Sequence, residues 1–421
     1  LFDLIPICRS TLLAEDMFNE DCSMLENGWL DILRTETGYN GDGSFLSARC
    51  AGLKKASPLY YTRLESDRGN ALSMMALWHR QFNLSGSNSA TEKNSWYSKY
   101  HGAYMVKGER RMASFVWRSA EQSQGQCVPT NDSSLLEWRG NLTGQIRGLG
   151  SAHCEKVIEH EGQCFEGGFL TYGKSLCESS GFVAEGQAVD YQTIKSLAFA
   201  ALPDDRTVLC IQSADAKNRT IISQVQGLLL NVPNDLFNHS SREYITAEGK
   251  YRLHGGDRGV AEVITAGKWL CADNRIGVVE AQKDLMIIRP GHRQISLKSM
   301  GHGTNHKAGA LYCDEVCSVY ENYQRWYSSG EHIYDSAFAI IVGDSDETKS
   351  FAKSVVSLPN LPEGVLSVMA SGSDGKTYAL VFNLSGTTQT IGKQGWKLVT
   401  TGGVLEEAIS IEPGQAQLFS I

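Results

Sequence analysis

The sequence has no long apolar segment, little proline and no dense basic block, and each absence excludes a class of protein. No run among the 421 residues approaches the roughly 20 apolar residues that a membrane-spanning helix needs. Proline is scarce at 9 residues and glycine is frequent at 42, as in β proteins with many turns. The net charge is −8 and no Lys/Arg block occurs, so we expect neither nucleic acid nor an anionic membrane surface as a partner.

The composition that is present indicates a globular chain. Hydrophobic residues make up 42% of it, which excludes disorder and allows two or three domains with a sizeable core. Residue 1 is Leu and no leader pattern follows, so we expect a processed chain or a piece of a longer one. Because the chain is acidic, an anionic ligand would have to be held by a local group of cations.

The eleven cysteines and the glycosylation sequons bear on the compartment. No CxxC pair occurs, and Cys313 and Cys317 are spaced C-x3-C. Two interpretations stay open: buried small hydrophobes in a reducing compartment, or disulfides with at least one thiol left over. Asn-x-Ser/Thr sequons occur at Asn83, Asn131, Asn141, Asn218, Asn238 and Asn383. They favour export, so a secreted or periplasmic location is the expectation.

The hydrophobic period divides the chain into a helical beginning and a long β region. Residues 10–19, 23–38 and 68–82 have apolar residues at helical spacing, and the polar stretch 83–95 is typical of a linker. From residue 96 onward the period is two, with Gly, Asn and Asp turns between short strands. The pattern predicts strand pairs at 100–119, 207–232, 277–299, 309–323 and 375–421.

We therefore predict a mainly β fold, a multi-sheet antiparallel β-sandwich preceded by a short α-helical segment. The predicted domains are a helical segment over 1–82, a large β-supersandwich over 96–355 and a small C-terminal β-sandwich over 356–421.

Four short segments resemble the polysaccharide lyases built from an (α/α) toroid and an antiparallel β-supersandwich, the hyaluronate/chondroitin lyase and heparinase II/III-like group. GYNGDGSF (38–45) is similar to the turn that closes a toroid helix in hyaluronate and chondroitin lyases. DLMIIRPGHRQISLKSMG (284–301) and ENYQRWYSSGEHIYD (321–335) are similar to stretches of their β-sheets. SMGHGTNHKAGAL (299–311) resembles the His-rich loop of the heparinase-type enzymes.

The resemblance implies that residues 1–82 are the end of a toroid and that the chain cleaves an acidic, uronic-acid-containing polysaccharide by β-elimination. The chain departs from the family at two positions. Ala48 stands where the resemblance places a catalytic His, and Ser57 where it places a catalytic Tyr, with Tyr60 and Tyr61 just beyond. Either the base lies elsewhere, or the chain is not an active lyase of that type.

β-Elimination needs a group that neutralises the carboxylate, a base for the C5 proton and an acid for the leaving oxygen. A first cluster meets these needs between the helices and the sheets. Its members are Asn40, Asp42, Tyr60, Tyr61, Arg63 and Arg68. Tyr60 or Tyr61 is the predicted base and acid, and Arg63 or Arg68 the predicted carboxylate partner. The alternative is a core aromatic pair with solvated charges.

Two further clusters follow in the β region. One consists of His101, Tyr104, Arg110 and Arg111, although Tyr104 is more typical of a core residue. The other comprises His292, Arg293, His302, Asn305 and His306, followed by Glu321. His302 or His306 is the predicted catalytic partner, and His292, Arg293, Asn305 and Glu321 are predicted to bind substrate. No cofactor is required, but His302 and His306, with His254 or Asp257, could hold a divalent metal.

Tryptophan rings are the remaining candidates, because aromatic faces stack on the apolar faces of sugars. Trp138, next to Arg139, and Trp326 are the predicted platforms. Two other function classes remain open: a non-catalytic carbohydrate-binding or scaffold protein on the same fold, and a glycoside hydrolase with β accessory domains. The hydrolase needs paired carboxylates, and nothing in the spacing pairs Asp42, Glu315 and Glu321.

Overall fold

The computed structural model describes residues 58–82, 94–118, 122–130, 135, 142–148, 152–184, 187–234, 241–255, 261–289 and 313–421. Within them the chain is mainly β, with several antiparallel sheets and two helices, so the predicted fold class is confirmed. The predicted helices 10–19 and 23–38 lie outside the described residues, as does most of the predicted linker. The predicted domain boundaries stay predictions.

Helix α1 spans Pro58–Phe82 and begins ten residues before the predicted start. Pro58 suits a first helical turn, since its φ is already helical and its missing N–H would have had no partner there. The hydroxyls of Thr62 and Ser73 donate to the carbonyls four residues back, at 2.9 and 2.8 Å. These bonds keep the polar residues compatible with the helix.

The first sheet, the N-terminal sheet, is a four-stranded meander. Its strands are β1 (Asn94–Ser98), β2 (Ala103–Lys107), β3 (Arg111–Val116) and β4 (Gln124–Pro129). The predicted strand pair around Lys107 and Gly108 is confirmed as β2 and β3. Residues of β3 alternate between buried and half-buried, as expected for a sheet with one face on the core.

A nine-stranded antiparallel sheet, the central sheet, forms the middle of the protein. Its strands are β6 (Ala152–Phe165), β7 (Gly168–Ala184), β8 (Gln187–Ala201), β9 (Thr207–Ala216), β12 (Ser241–Thr246), β13 (Lys250–His254), β15 (Trp269–Ala272), β16 (Ile276–Glu280) and β21 (His332–Val342). They run in the order β13-β12-β15-β16-β21-β9-β8-β7-β6. Strand β6 is therefore one outer edge and β13 the other.

Two four-stranded sheets complete this part of the fold. One contains β5 (Gln145–Gly148), β10 (Thr220–Gly227), β19 (Val319–Glu321) and β20 (Arg325–Tyr327). The other has the order β11-β18-β17-β14, with β11 (Leu230–Pro233), β14 (Glu262–Gly267), β17 (Leu285–Arg289) and β18 (Cys313–Cys317).

The predicted strands over 207–232 exist, but β9 and β10 do not pair with each other. Strand β9 is buried on both faces and joins the central sheet between β8 and β21. Strand β10 has a mixed burial pattern and joins a smaller sheet. The near-continuous apolar run of β9 suits a strand covered on both sides, and that placement separates the two strands.

The C-terminal part contains one short helix and two small sheets. Helix α2 (Ser345–Phe351) has Asp344 as its N-cap in a capping box with Glu347. Strands β22 (Val365–Ser371), β23 (Thr377–Asn383), β27 (Ala416–Ser420) and β25 (Lys397–Leu398) form one sheet, and β24 (Gln389–Ile391) pairs with β26 (Ile409–Ile411). This confirms the alternation predicted for the last fifty residues.

Alternate residues of the central strands belong to two separate hydrophobic cores. Val208 and Cys210 of β9 belong to the core shared with the N-terminal sheet, whereas Leu209 and Ile211 belong to the core shared with the C-terminal strands. Burying each large apolar side chain contributes about 1.5–3 kcal/mol. The central sheet is therefore a layer covered on both faces, and the space around its β6 edge lies between the two covering layers.

Several cysteines are part of these cores. Cys127, Cys177, Cys210 and Cys271 are buried thiols. Burial raises the pKa of Cys127 and Cys177 to about 12, so these side chains stay protonated and behave as small hydrophobes.

Candidate functional site

The predicted tyrosines and arginines of the first cluster lie in helix α1. Tyr61 is buried, and Arg63 is exposed with its Nε 3.8 Å from the carboxylate of Asp67, one turn further on. Tyr60 and Arg68 are in the same helix, but their side chains lie outside the described residues.

Glu321 lies on β19 and Trp326 on β20, and both strands pair with β10. The carboxylate of Glu321 accepts a hydrogen bond from the Tyr327 hydroxyl at 3.3 Å. Trp326 is half exposed, and the guanidinium carbon of Arg219 lies 4.7 Å from the centre of its ring. The exposure of Trp326 is what a sugar platform requires.

Eight further predicted site residues lie outside the described residues. They are Asn40, Trp138, Arg139, His292, Arg293, His302, Asn305 and His306. Within the described ranges, no group of three or more His, Cys, Asp or Glu side chains is arranged to hold a metal ion. Neither described helix is long and apolar enough to cross a bilayer.

The structure brings a different set of residues together at the β6 edge of the central sheet. A cleft of about 570 Å³, here called the edge cleft, opens there between the N-terminal sheet and the C-terminal strands. It is lined by Tyr97, Lys99, Tyr104, His160, Glu161, Gly162, Gln163, Cys164, Leu170, Tyr172, Thr400, Ala416 and Gln417. Three tyrosines, an imidazole, a carboxylate, two amides and an amine thus share one concave surface.

The strand register places Glu161 and Tyr172 side by side in the edge cleft. Glu161 of β6 lies directly opposite Tyr172 of β7, so both side chains point to the same face of the sheet. The Tyr172 hydroxyl donates to Glu161 Oε2 at 2.6 Å. Burial and this hydrogen bond raise the pKa of Tyr172, so the phenol stays protonated. The pair is a fixed hydroxyl–carboxylate unit.

Two more tyrosine rings come from the β1–β2 hairpin. Tyr97 lies opposite Tyr104 in the strand register, and their ring centres are 6.3 Å apart with nearly parallel planes. Tyr104 is buried and sits over the backbone of Gly162, where a Cβ would come within 2.5 Å of its ring carbon Cζ. A glycine is needed at that point of β6 because the ring approaches so closely. Tyr97 is 58% exposed, so its ring is open to a ligand.

His160 sits on the opposite face of β6 from Glu161, at the inner side of the edge cleft. Its ring stacks on Trp117 at 5.9 Å, with 10° between the planes. The Trp117 indole donates to the Thr171 hydroxyl at 2.7 Å, and that hydroxyl donates to the Glu161 carbonyl at 2.7 Å. These contacts fix the ring beside β6.

The environment of His160 favours its neutral form. Burial lowers the pKa of His160, and the nearby charge of Arg118 lowers it further. Its Nδ1 is buried and finds no hydrogen-bond partner among the described residues. A neutral imidazole at pH 7 can accept a proton.

The C-terminal strands close the other side of the edge cleft. Gln163 Nε2 donates to the Thr400 carbonyl at 2.9 Å, which links β6 to the C-terminal layer. Gln417 and Lys99 add an amide and a cation to the rim. Aromatic faces with a few fixed polar groups are the usual composition of a site for a polyhydroxylated ligand.

Of the residues that line the edge cleft, Tyr104 was a candidate from the sequence and most of the others were not predicted. Tyr97, His160, Glu161, Gln163 and Tyr172 carry no motif. Their spacing is that of ordinary strands, and what brings them together is that β6 ends the sheet order. The only sequence signal lies in residues 155–163, most of which are polar or charged. Such residues are unusual in a strand covered on both faces and typical of an edge strand.

No known protein family profile matches the chain. No curated protein matches it either. Similar solved structures include the alpha-galactosidase from Lactobacillus brevis, with TM-score 0.38 and 7% identity over 62% of this chain and 42% of that one. The galactosidase domain of the alpha-galactosidase–sucrose kinase AgaSK has TM-score 0.34 and 6% identity, over 59% and 41%. The chain spans less than half of each, and neither likeness is close enough to assign a fold or a function.

Proposed function

We propose that the chain binds an acidic polysaccharide in the edge cleft. One observation carries the proposal: three tyrosines, a carboxylate, two amides and an amine line one open cleft at the β6 edge. Tyrosine rings stack on the C–H faces of sugars, and the polar groups select among hydroxyls. The cleft follows the edge of a sheet, which suits an extended ligand.

The acidic character of the ligand is supported by the cations near the edge cleft. Lys99 lines the cleft and Arg118 acts on His160. The carboxylate of Glu161 is already engaged by Tyr172. In a chain of net charge −8, Lys99 and Arg118 are the cations with which the carboxylates of a uronate chain would pair at this cleft.

The test is the affinity for a uronate oligosaccharide, such as an oligogalacturonate, measured by calorimetry. We expect Tyr97→Ala to weaken binding roughly fivefold, since losing one aromatic–sugar stack costs about 1 kcal/mol. Tyr100→Ala is the matched control, because Tyr100 is 77% exposed on the same hairpin and does not line the cleft. Equal affinities of the two variants would refute the proposal.

β-Elimination in the same cleft is a second candidate, favoured by the neutral state of His160. The imidazole would take the C5 proton of the uronate. The C4–O bond would break as the C4=C5 double bond forms, and the leaving oxygen would take a proton from the hydroxyl of Tyr104. Burial raises the pKa of Tyr104, so this phenol serves as an acid rather than as a base. The roles predicted for Tyr60, Tyr61, His302 and His306 stay predictions.

If His160 is the base, the elimination rate rises with pH as its imidazole loses a proton. Since burial lowers its pKa, the midpoint lies below the ordinary value of about 6.5. The ultraviolet absorbance of the unsaturated product follows the reaction. We expect His160→Gln to abolish product formation. His332→Gln is the control and should leave the pH profile of the rate unchanged, because His332 lies outside the edge cleft and Asp215 and Asp335 raise its pKa to about 10. Binding without product would limit the function to the first proposal.

A further inference from the structure

A second surface of the protein combines an exposed indole with a cation that has no carboxylate partner among the described residues. The guanidinium carbon of Arg219 lies 4.7 Å from the ring centre of Trp326, which is 50% exposed. We call this pair the Arg219–Trp326 surface. Neither residue lines the edge cleft, so the surface is separate from the site described above.

The positions of the two residues at the β10–β20 ladder leave both side chains outward. Trp326 lies directly opposite Ile221 in that ladder and is half exposed. Arg219 lies in the bend just before β10, is exposed, and has its guanidinium over the Trp326 ring. The neighbouring positions Thr220 and Tyr327 face each other on the buried side.

Contacts made by the residues on either side of Trp326 hold strand β20 in place. The guanidinium carbon of Arg325 lies 4.6 Å from the ring centre of Tyr327. Its Nη2 is 3.3 Å from Glu331, and the Tyr327 hydroxyl donates to Glu321. Trp326 is thus carried by a strand that is fixed on both sides of it, and a ligand that stacks on the ring need not order it first.

The two arginines of this sheet differ in their charge partners. Arg325 is neutralised by Glu331. In the part of the chain that the structure describes, Arg219 has no carboxylate within ion-pair distance. A guanidinium held over an indole keeps its hydrogen-bond donors free along its edge, and their fork geometry matches a carboxylate or sulfate.

We propose that the Arg219–Trp326 surface is a second binding site for the same class of ligand, an acidic sugar chain. Arg219 would pair with the carboxylate of one sugar unit while the open part of the Trp326 ring covers the apolar face of the unit or its neighbour. The assignment of a sugar rests on the proposed function, whereas the affinity for an anion follows from charge complementarity on an acidic protein.

The test is the stoichiometry of binding of a short oligogalacturonate, too short to reach both sites, measured by calorimetry. We expect two equivalents for the unaltered chain. Arg219→Gln and Trp326→Ala should each weaken one of the two sites about tenfold or more and leave the other unchanged. Lys217→Gln is the matched control, an exposed cation two residues away that should leave both sites intact.

Each outcome decides between the two sites. Weakening of one site by Arg219→Gln and of the other by Tyr97→Ala supports both proposals. A single site lost with Arg219→Gln but kept with Tyr97→Ala supports the second site and refutes the edge cleft. Stoichiometry and affinity unchanged by Arg219→Gln refute the second site.

A second probe tests whether the ligand is a sugar. The carboxyl-reduced oligosaccharide should lose the Arg219-dependent site, because the anion is removed and the sugar kept. If a phosphopeptide or vesicles of anionic lipid bind the Arg219–Trp326 surface as tightly as the oligogalacturonate does, the sugar assignment is wrong.

Discussion

Lys195 and Glu155 form an ion pair inside the sandwich, where charges are costly. Their side chains are each 1% exposed, and the Lys195 amine lies 2.8 Å from Glu155 Oε2. The Ser123 hydroxyl donates to the other carboxylate oxygen at 2.8 Å. Burial alone would raise the pKa of Glu155, but the charge of Lys195 lowers it on balance, so both groups stay charged.

Breaking this pair should destabilise the fold strongly. We expect Lys195→Met to lower the free energy of unfolding by about 3–5 kcal/mol, since it leaves a buried carboxylate without its partner. The control is Lys156→Met on the same sheet, where an exposed pair with Glu178 at 2.7 Å contributes less than about 1 kcal/mol.

Urea unfolding of both variants measures the difference. Because the pKa of Glu155 is lowered by folding, the contribution of the pair is present at neutral pH and is lost as the pH falls through that lowered pKa. Equal losses from the two variants, or no convergence of Lys195→Met and the unaltered chain at acid pH, would contradict this role of the pair.

Asn383 shows why a sequence motif can mislead at single residues. It begins a glycosylation sequon, yet its side chain is buried. Its Nδ2 donates to the carbonyls of Ile411 and Thr387, at 2.8 and 2.9 Å. The amide therefore holds a turn of the C-terminal sheet, and a glycan could not be attached without breaking it. Spacing alone does not report burial.

The tip of the β2–β3 hairpin is fastened to the central sheet by the side chain of Asp205. Asp205 Oδ2 accepts hydrogen bonds from the backbone N–H groups of Glu109 and Arg110, at 2.8 and 3.1 Å. Gly108 permits this contact, because a Cβ there would lie 1.7 Å from Asp205 Oδ1. Sequence analysis placed the turn correctly, but the residue that it contacts is 97 positions away and carries no local signal.

Adding a methyl group at the hairpin tip should disrupt this contact. We expect Gly108→Ala to lower the free energy of unfolding by about 1–3 kcal/mol, as overpacking does when the neighbour cannot move without losing its hydrogen bonds. Gly386→Ala is the control, because a Cβ there meets no atom within 4 Å. Thermal unfolding compares the two. An unchanged midpoint for Gly108→Ala would show that Asp205 can move at no cost.

At the element scale, the sequence predicts strands well and their partners poorly. Alternation and turn residues located β2, β3 and the C-terminal strands, because those signals are local. The separation of β9 from β10 depends on which layers cover β9, and the edge position of β6 depends on the order of nine strands. Both are long-range properties that no window of the sequence contains.

The whole molecule is a central sheet covered by one layer on each face, and its candidate site lies where that sheet ends. The sequence predicted the class of fold, whereas its group of aromatic and charged residues for an acidic ligand stays a prediction. It did not predict which residues form the edge cleft, since they come from the N-terminal sheet, β6, β7 and the C-terminal strands. Because the site contains residues from three layers, it can be recognised only when the packing of those layers is known.

Hydrogen–deuterium exchange with and without oligogalacturonate tests the central claim most directly. The outward backbone groups of an edge strand exchange quickly when nothing covers them. The account predicts that the ligand slows exchange in residues 158–165 of β6 and in the β1–β2 hairpin, while β13, the opposite edge of the same sheet, is unaffected. Unchanged exchange in β6 at saturating ligand, whatever changes elsewhere, would contradict a sugar-binding site in the edge cleft.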